Sequence, residues 1–211
     1  MDQRTNRWEP LVMVTIYVEG GGNSDYTRTT CREGFARYCE KSCPPNRRPK
    51  IVACGSRQQA FDRFKIDVGR IRAGHLCVLL VDSEGPVTAG NSPVVYLQAH
   101  DKWLFPPLQN NRIFLMVQAM EAWFLADRTA LAAYYGTEFR ANGLPGDERH
   151  IEAIPKDDLE PSLVNASRNT KTKGQYHKTR HAFTLLAEID PRKVEAGSPY
   201  AAEFHAFLRT L

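Results

Sequence analysis

The fold is decided by the stretch Leu11-Val-Met-Val-Thr-Ile-Tyr-Val18, followed by Glu19-Gly-Gly-Gly-Asn-Ser-Asp25. Seven of the first eight residues are apolar or aromatic and the other, Thr15, is β-branched, which is typical of a strand buried on both faces. Glu19 then stands at the carboxyl end of this strand, the edge of an open α/β sheet where ligands bind. The glycines let a partner approach the backbone, and Ser24 or Asp25 is a candidate N-cap for a helix that begins near Tyr26.

Three more apolar runs alternate with helical patterns. Strands are predicted at 49–55, 75–81 and 112–118, and helices at 26–41, 56–73, 94–100 and 121–127. Because each strand is almost wholly apolar, the pattern predicts an α/β fold with a mostly parallel four-stranded sheet and helices on both faces. After Tyr134 the chain is polar and rich in proline, with helices predicted at 159–166, 178–189 and 199–211. We therefore expect an α/β core over residues 1–135 and a C-terminal helical extension over 136–211, packed as one compact domain.

The composition restricts the classes of partner. The chain has 211 residues and a formal net charge of +4, which permits a polyanionic partner without requiring one. Five cysteines with no CxxC pair predict free thiols in a reducing cytoplasm rather than a structural zinc site. No apolar stretch approaches the length that spans a membrane, and the N-terminus has no signal-type apolar core. We expect a cytoplasmic protein that makes no membrane contact.

Carboxylates follow three of the four predicted strands. Glu19 follows the first strand, Asp82 and Glu84 the third, and Glu121 with Asp127 the fourth. Since the carboxyl ends of parallel strands meet at one edge, these acids should converge there. Converging carboxylates repel, so a cation should offset them: Mg²⁺ or Mn²⁺, or a lysine or arginine from the basic tail. This layout suits metal-assisted attack on a phosphodiester; the alternative is a set of acids that cap helices and face solvent.

Basic residues near this edge are candidates for phosphate binding. A solvated basic loop is the alternative interpretation. Lys173 and Lys178 are the favoured pair, because a lysine can stabilise the charge that develops on phosphorus. Arg57, after the second strand, should either hold a phosphate or pair with Asp82. The remaining candidates are Gly20 and Gly21 in the turn after Glu19, and Lys171, His177 and His181 in the tail. Trp123 is more typical of core packing than of a platform for a base.

The order of these motifs resembles that of the Toprim catalytic domain, which topoisomerases, bacterial primases and the overcoming-lysogenization-defect nucleases share. Its features here are a strand that ends in Glu19-Gly20 and a later strand that ends in Asp82-Ser-Glu84. More closely, the chain resembles a bacterial Toprim-like family, the domain of unknown function 4276. The resemblance rests on segments that span nearly the whole chain: 17–22, 52–57, 80–84, 116–127, 173–178 and 189–191.

The resemblance implies a function for the acidic residues. Glu19 would be a general acid or base as well as a ligand, and Asp82 and Glu84 would bind Mg²⁺ or Mn²⁺, with Glu121 assisting. Glu84 departs from the aspartate usual at its position, and its longer arm can shift the metal geometry. The implied activity is a metal-dependent nuclease or phosphotransferase acting on nucleic acid, in bacterial antiphage defence beside a partner ATPase. This activity comes from the wider Toprim group by analogy. The alternative is a catalytically inactive module that binds nucleic acid or a protein.

Overall fold

The computed structural model describes residues 12–22, 24–70, 73–107 and 112–211. Residues 1–11, 23, 71–72 and 108–111 lie outside this range. The start of the predicted α/β core, including Leu11 of the first predicted strand, is therefore not among the described residues. The strands are β1 (Met13–Val18), β2 (Lys50–Ala53), β3 (His75–Asp82) and β4 (Ile113–Met116). The helices are α1 (Asp25–Glu40), α2 (Arg57–Val68), α3 (Pro93–Asp101), α4 (Met120–Leu125), α5 (Arg128–Tyr135), α6 (Lys156–Ser167), α7 (Lys178–Glu188), α8 (Pro191–Gly197) and α9 (Pro199–Leu208).

The four strands form one parallel sheet in the order β2-β1-β3-β4, which confirms the predicted α/β architecture. The two central strands, β1 and β3, are neighbours, and Val18 pairs with Leu80. Glu19 is the next residue after Val18, so it emerges beside the last residues of β3. The register alone therefore brings the carboxyl ends of β1 and β3 together.

Helices cover both faces of the sheet, as the continuous apolar strands require. Along β3, Val78 and Leu80 belong to the core shared with α1, α7 and α9. Leu79 and Val81 point the other way, into the core shared with α2 and α3. The sheet is thus the middle layer of a three-layer structure.

The helix bounds differ from the sequence prediction in the second half of the chain. The predicted closing pair of helices is instead three, α7, α8 and α9, because Asp190 caps a short helix that begins at Pro191. Helix α6 is longer than the predicted helix at 159–166, and α5 has no counterpart in the sequence prediction, which ends a helix at residue 127. Helix α2 ends at Val68 rather than near residue 73, with Gly69 as its C-cap.

The first two helices both begin at a serine N-cap, and for α1 it is Ser24, one of the two residues that the sequence offers. The Ser24 side chain accepts a hydrogen bond from the Thr27 amide at the start of α1. Ser56 and Gln59 form a reciprocal capping box at the start of α2. These caps fix the points where the chain leaves β1 and β2, the same edge at which the acids emerge.

All five cysteines are free thiols, as predicted, and four of them are buried. Burial raises the pKa of Cys31 to about 12 and that of Cys54 to about 11, so neither is a reactive thiolate at neutral pH. In the described part of the chain, no helix combines the length and apolar character needed to cross a membrane.

Candidate functional site

Three carboxylates from two strand ends converge at the carboxyl edge of the sheet. Glu19, Asp82 and Glu84 each offer one oxygen, and these three atoms lie within 4.8 Å of one another. The convergence expected from the parallel topology is therefore observed for these three acids, whereas Asp127 lies outside the cleft. Two oxygens bound to one Mg²⁺ lie at most about 4.2 Å apart, since each bond is about 2.1 Å long. Small side-chain rotations would bring this trio onto one cation, so the donor set and its spacing fit a divalent metal.

Asp82 is the deepest of the three acids, with only 6% of its surface exposed. Its Oδ1 accepts a hydrogen bond of 2.9 Å from the amide of Met120, the first residue of α4. Burial, with repulsion from Glu19 and Glu121, raises the pKa of Asp82 well above its usual value. A carboxylate in these surroundings is stabilised by any cation that reaches it.

Glu19 lies nearer the surface and is perturbed in the same direction. Its Oε2 is 3.4 Å from the amide of Asp82, which donates to it, and 3.7 Å from Nε of Arg57. Burial raises the pKa of Glu19 to about 7; Arg57 opposes the shift, and the charge of Glu84 adds to it. A carboxyl group that titrates near neutral pH is suited to general acid or base catalysis.

Arg57 does not pair with Asp82, contrary to one of the two expectations from sequence. Its guanidinium forms two hydrogen bonds with Asp101, of 2.7 and 3.0 Å, and lies 5.3 Å from the centre of the Trp103 ring. The pair of N–H groups that would grip a phosphate is therefore occupied by Asp101. Arg57 instead offers Glu19 a fixed positive charge.

Glu84 has a partner that the sequence did not indicate. Lys156, the first residue of α6, forms an ion pair with Glu84, and its backbone amide donates a 3.1 Å hydrogen bond to Gln118. Glu84 itself has a positive φ of 68°, an uncommon conformation for a residue with a side chain. A backbone held in this way at the end of a strand fixes the direction of the carboxylate.

Glu121 lies in the same cleft but outside the group of three. Its carboxylate is buried and accepts hydrogen bonds from Lys178, at 2.9 Å, and from the hydroxyl of Tyr176, at 3.3 Å. Burial lowers the pKa of Lys178, but attraction to Glu121 outweighs it, and the net shift is upward. The basic tail thus supplies a charged lysine to the acidic edge, and it does so at Glu121.

The acids open into a cleft of about 250 Å³. Gly20 and Gly21 form part of its wall with φ angles of 116° and 86°, which favour glycine. A Cβ atom on Gly21 would lie 3.0 Å from Cα of Arg28, so the turn also needs glycine for space. The cleft is lined by Glu19, Gly20, Gly21, Gly22, Thr27, Gly55, Asp82, Met116, Met120, Glu121, Lys178, Thr179 and Phe183.

The other basic candidates lie away from this lining. The ammonium of Lys173 lies 4.8 Å from the centre of the Tyr134 ring, and Lys173 is exposed. Lys171 and His177 are also exposed, on the segment that leads into α7. His181 is buried and its Nδ1 lies 3.2 Å from the Tyr135 hydroxyl, so it is not available to a phosphate at the surface.

Two further residues have structural contacts. Trp123 is fully buried and stacks on Tyr38, with ring centres 5.2 Å apart, which confirms core packing. Asp127 caps α5 through the amide of Ala130 and forms a 2.6 Å ion pair with Lys193. Sequence reasoning gives no role to Lys156 and Phe183, which stand in segments without a motif, or to Tyr176, although it lies in the segment 173–178.

One comparison with known proteins gives a match. A family model described as Domain of unknown function (DUF4276) matches residues 18–209, which is most of the chain. The matched range begins immediately before Glu19 and includes every residue that lines the cleft. Neither a curated protein nor a solved structure matches the chain.

Proposed function

The chain belongs to the DUF4276 family, and we propose that it is a Toprim-like nuclease or phosphotransferase that needs a divalent metal and acts on nucleic acid phosphodiesters. The observation that carries the proposal is the convergence of Glu19, Asp82 and Glu84 within 4.8 Å at the carboxyl edge of the sheet. The pKa of Glu19 and that of Asp82 are both raised, so the ionised cluster is costly without a cation.

The same three residues would hold Mg²⁺ or Mn²⁺, since both metals prefer carboxylate oxygens. When bound, the metal polarises a phosphoryl oxygen and lowers the pKa of coordinated water. Glu19, as a carboxylate at the edge of the cluster, would take a proton from the attacking water or return one to the leaving oxygen. Lys178 supplies positive charge inside the cleft, and Gly20 and Gly21 line it without side chains of their own.

Metal binding and cleavage test the proposal directly. We expect calorimetry to detect Mn²⁺ or Mg²⁺ binding at millimolar concentration or below, and the metal-loaded protein to cut DNA or RNA. Glu19→Gln should abolish cleavage and weaken metal binding by tenfold or more. The matched control is Glu152→Gln, because Oε1 of this half-buried glutamate accepts hydrogen bonds from Ser198 and Tyr200, which an amide oxygen can also accept. If Glu19→Gln cuts as well as the unmodified protein, the assignment is wrong.

A second candidate function is a catalytically inactive module that binds nucleic acid or a protein. It is favoured by one observation: internal cations already face the acids, with Lys156 on Glu84, Lys178 on Glu121 and Arg57 beside Glu19. If calorimetry finds no Mg²⁺ or Mn²⁺ binding while an oligonucleotide still binds, this second function replaces the first.

The proposal extends to the cellular context that Toprim nucleases suggest. Such nucleases often work with ATPases, so we propose a partner ATPase and a role in bacterial antiphage defence. The buried free thiols support a reducing compartment, the cytoplasm. Affinity purification from a native host should recover an ATPase with the chain, and recovery of none would remove this part of the proposal.

A further inference from the structure

The cleft has an apolar wall that metal and phosphate chemistry does not require. Met116, Met120 and Phe183 line it together with the acids. Phe183 is half-buried, and its ring packs against Phe35 with centres 6.4 Å apart. Its edge also reaches the glycine turn, because a Cβ atom on Gly20 would lie 3.1 Å from Cζ of Phe183. An aromatic ring that lines the wall of such a cleft is a suitable surface for a planar base.

The position of Phe183 is fixed by close packing between two helices. A Cβ atom on Gly34 of α1 would lie 2.5 Å from the backbone oxygen of Phe183 on α7. Only glycine therefore lets α7 approach α1 this closely at that point. The ring is held at the cleft by the backbone, and it does not depend on a flexible loop for its placement.

The size and depth of the cleft restrict what can enter. Its volume of about 250 Å³ lies just below the range of small-molecule pockets, which begins at roughly 300 Å³, so the cleft admits at most a single nucleotide. Asp82 is only 6% exposed at the bottom. A base-paired duplex is too wide to reach that depth, whereas an unpaired nucleotide can enter and stack its base.

Positive charge continues from the cleft along one segment of the chain. Lys178 and Thr179, at the start of α7, line the cleft. Exposed basic residues lie next to them in sequence: Lys171, Lys173, His177 and Arg180. An aromatic ring in the cleft and exposed basic residues close to the cleft in sequence are the two features with which proteins bind single-stranded nucleic acid.

We propose that the substrate is single-stranded nucleic acid and that one unpaired nucleotide enters the cleft with its base stacked on Phe183. The inference rests on the proposed function, whose substrate class it specifies. It assigns to the basic residues outside the cleft a role in holding the flanking strand.

Binding of labelled oligonucleotides to the full chain tests this inference. The probes are a 12-residue dT strand, a strand of equal length made of abasic residues, and a 12-base-pair duplex. Their binding is measured by fluorescence anisotropy in a buffer that contains Ca²⁺ in place of Mg²⁺ or Mn²⁺. A gel run afterwards checks that the strands are intact. We expect the dT strand to bind about tenfold more tightly than the abasic strand, in line with the strength of base–aromatic stacking. The duplex should bind no better than the abasic strand.

The variant Phe183→Leu should remove the preference for bases, so that the dT and abasic strands bind with nearly equal affinity. The matched control is Phe207→Leu. Phe207 is another half-buried phenylalanine; it lies on α9 and packs against Phe114, outside the cleft. That control should keep the preference. Equal binding of dT and abasic strands, stronger binding of the duplex, no binding of any probe, or a preference that survives Phe183→Leu would each overturn the inference.

The outcome is separable from that of the proposed function. Mn²⁺ binding measured by calorimetry in the absence of nucleic acid reports on the acids alone. If Mn²⁺ binds and bases are not preferred, only the stacked nucleotide is wrong. If bases are preferred and Mn²⁺ does not bind, the metal-dependent activity is wrong and the binding module remains.

Discussion

The surroundings of Glu19 illustrate how a sheet edge changes the chemistry of a single residue. The side chain is 22% exposed, yet burial raises its pKa from 4.5 to about 7. The nearby cation, Arg57, is itself held by Asp101 and so compensates only in part. Glu19 can therefore change its charge near neutral pH. The two neighbouring acids are held in place, Asp82 by the Met120 amide and Glu84 by Lys156.

The raised pKa of Glu19 predicts a pH-dependent stability in the metal-free protein. Between about pH 4.5 and 7 the folded state binds more protons than the unfolded state, so the free energy of unfolding falls as the pH rises through this range. Above about pH 7 the cost of the buried charge is fully present. Glu19→Gln removes that cost, and we expect it to be more stable than the unmodified protein by about 1–3 kcal/mol at pH 8, with little difference at pH 4.5. Urea unfolding in EDTA measures both; an equal difference at the two pH values contradicts the assignment.

Lys156 predicts an effect on metal affinity. It neutralises Glu84, so Lys156→Gln leaves the acidic trio more negative and should raise Mn²⁺ affinity by roughly fivefold. Lys193→Gln is the matched control, because Lys193 forms a similar ion pair with Asp127 outside the cleft. Calorimetry measures both variants. Unchanged or weaker Mn²⁺ binding in Lys156→Gln would show that Lys156 does not compete with the metal.

At the residue scale the sequence predicts the acids but not their partners. Parallel topology and the positions of Glu19, Asp82 and Glu84 after strands are enough to bring their oxygens together. The Lys156–Glu84 contact joins residues far apart in the chain, and no local pattern marks it. The same holds for Phe183, whose place at the cleft depends on how closely two helices pack.

At the scale of elements, the packing of α1 against α7 positions one wall of the cleft. Both helices lie on the same face of the sheet as Val78 and Leu80, and α7 also carries Lys178 and Thr179 into the cleft. The apolar runs predict the four strands because burial on both faces leaves a continuous signature. The helices after Tyr135 are harder to predict, because short elements such as α8 depend on a cap and a proline rather than on a periodic pattern.

Gly34 gives a prediction at this scale. Gly34→Ala places a Cβ atom 2.5 Å from the Phe183 backbone oxygen, so α1 and α7 must separate. We expect a loss of about 1–3 kcal/mol in the free energy of unfolding, despite the better helix propensity of alanine. Gly69→Ala is the control, since its φ is −66° and its new Cβ would meet only ordinary contacts of 3.5 Å or more. Urea unfolding of the two variants decides the matter, and equal stability would contradict the close-packing explanation.

At the scale of the whole molecule, one sheet edge gathers elements from both halves of the chain. The core strands supply Glu19, Asp82 and Glu84, and the C-terminal helices supply Lys156 and Lys178. A metal that binds only the folded chain stabilises it by mass action, by about 2.7 kcal/mol at a concentration 100 times the Kd. Metal binding at the cleft should therefore stabilise the sheet edge and the C-terminal helices together.

The most direct measurement is the anomalous scattering of a crystal of the full chain soaked in Mn²⁺. The predicted result is a peak between the ends of β1 and β3, at roughly 2.1–2.2 Å from carboxylate oxygens of Glu19, Asp82 and Glu84. The same peak should be weaker in crystals of Glu19→Gln soaked in parallel at the same Mn²⁺ concentration. A soaked crystal of the unmodified chain with no manganese between these residues would contradict the claim that the three acids share a bound cation.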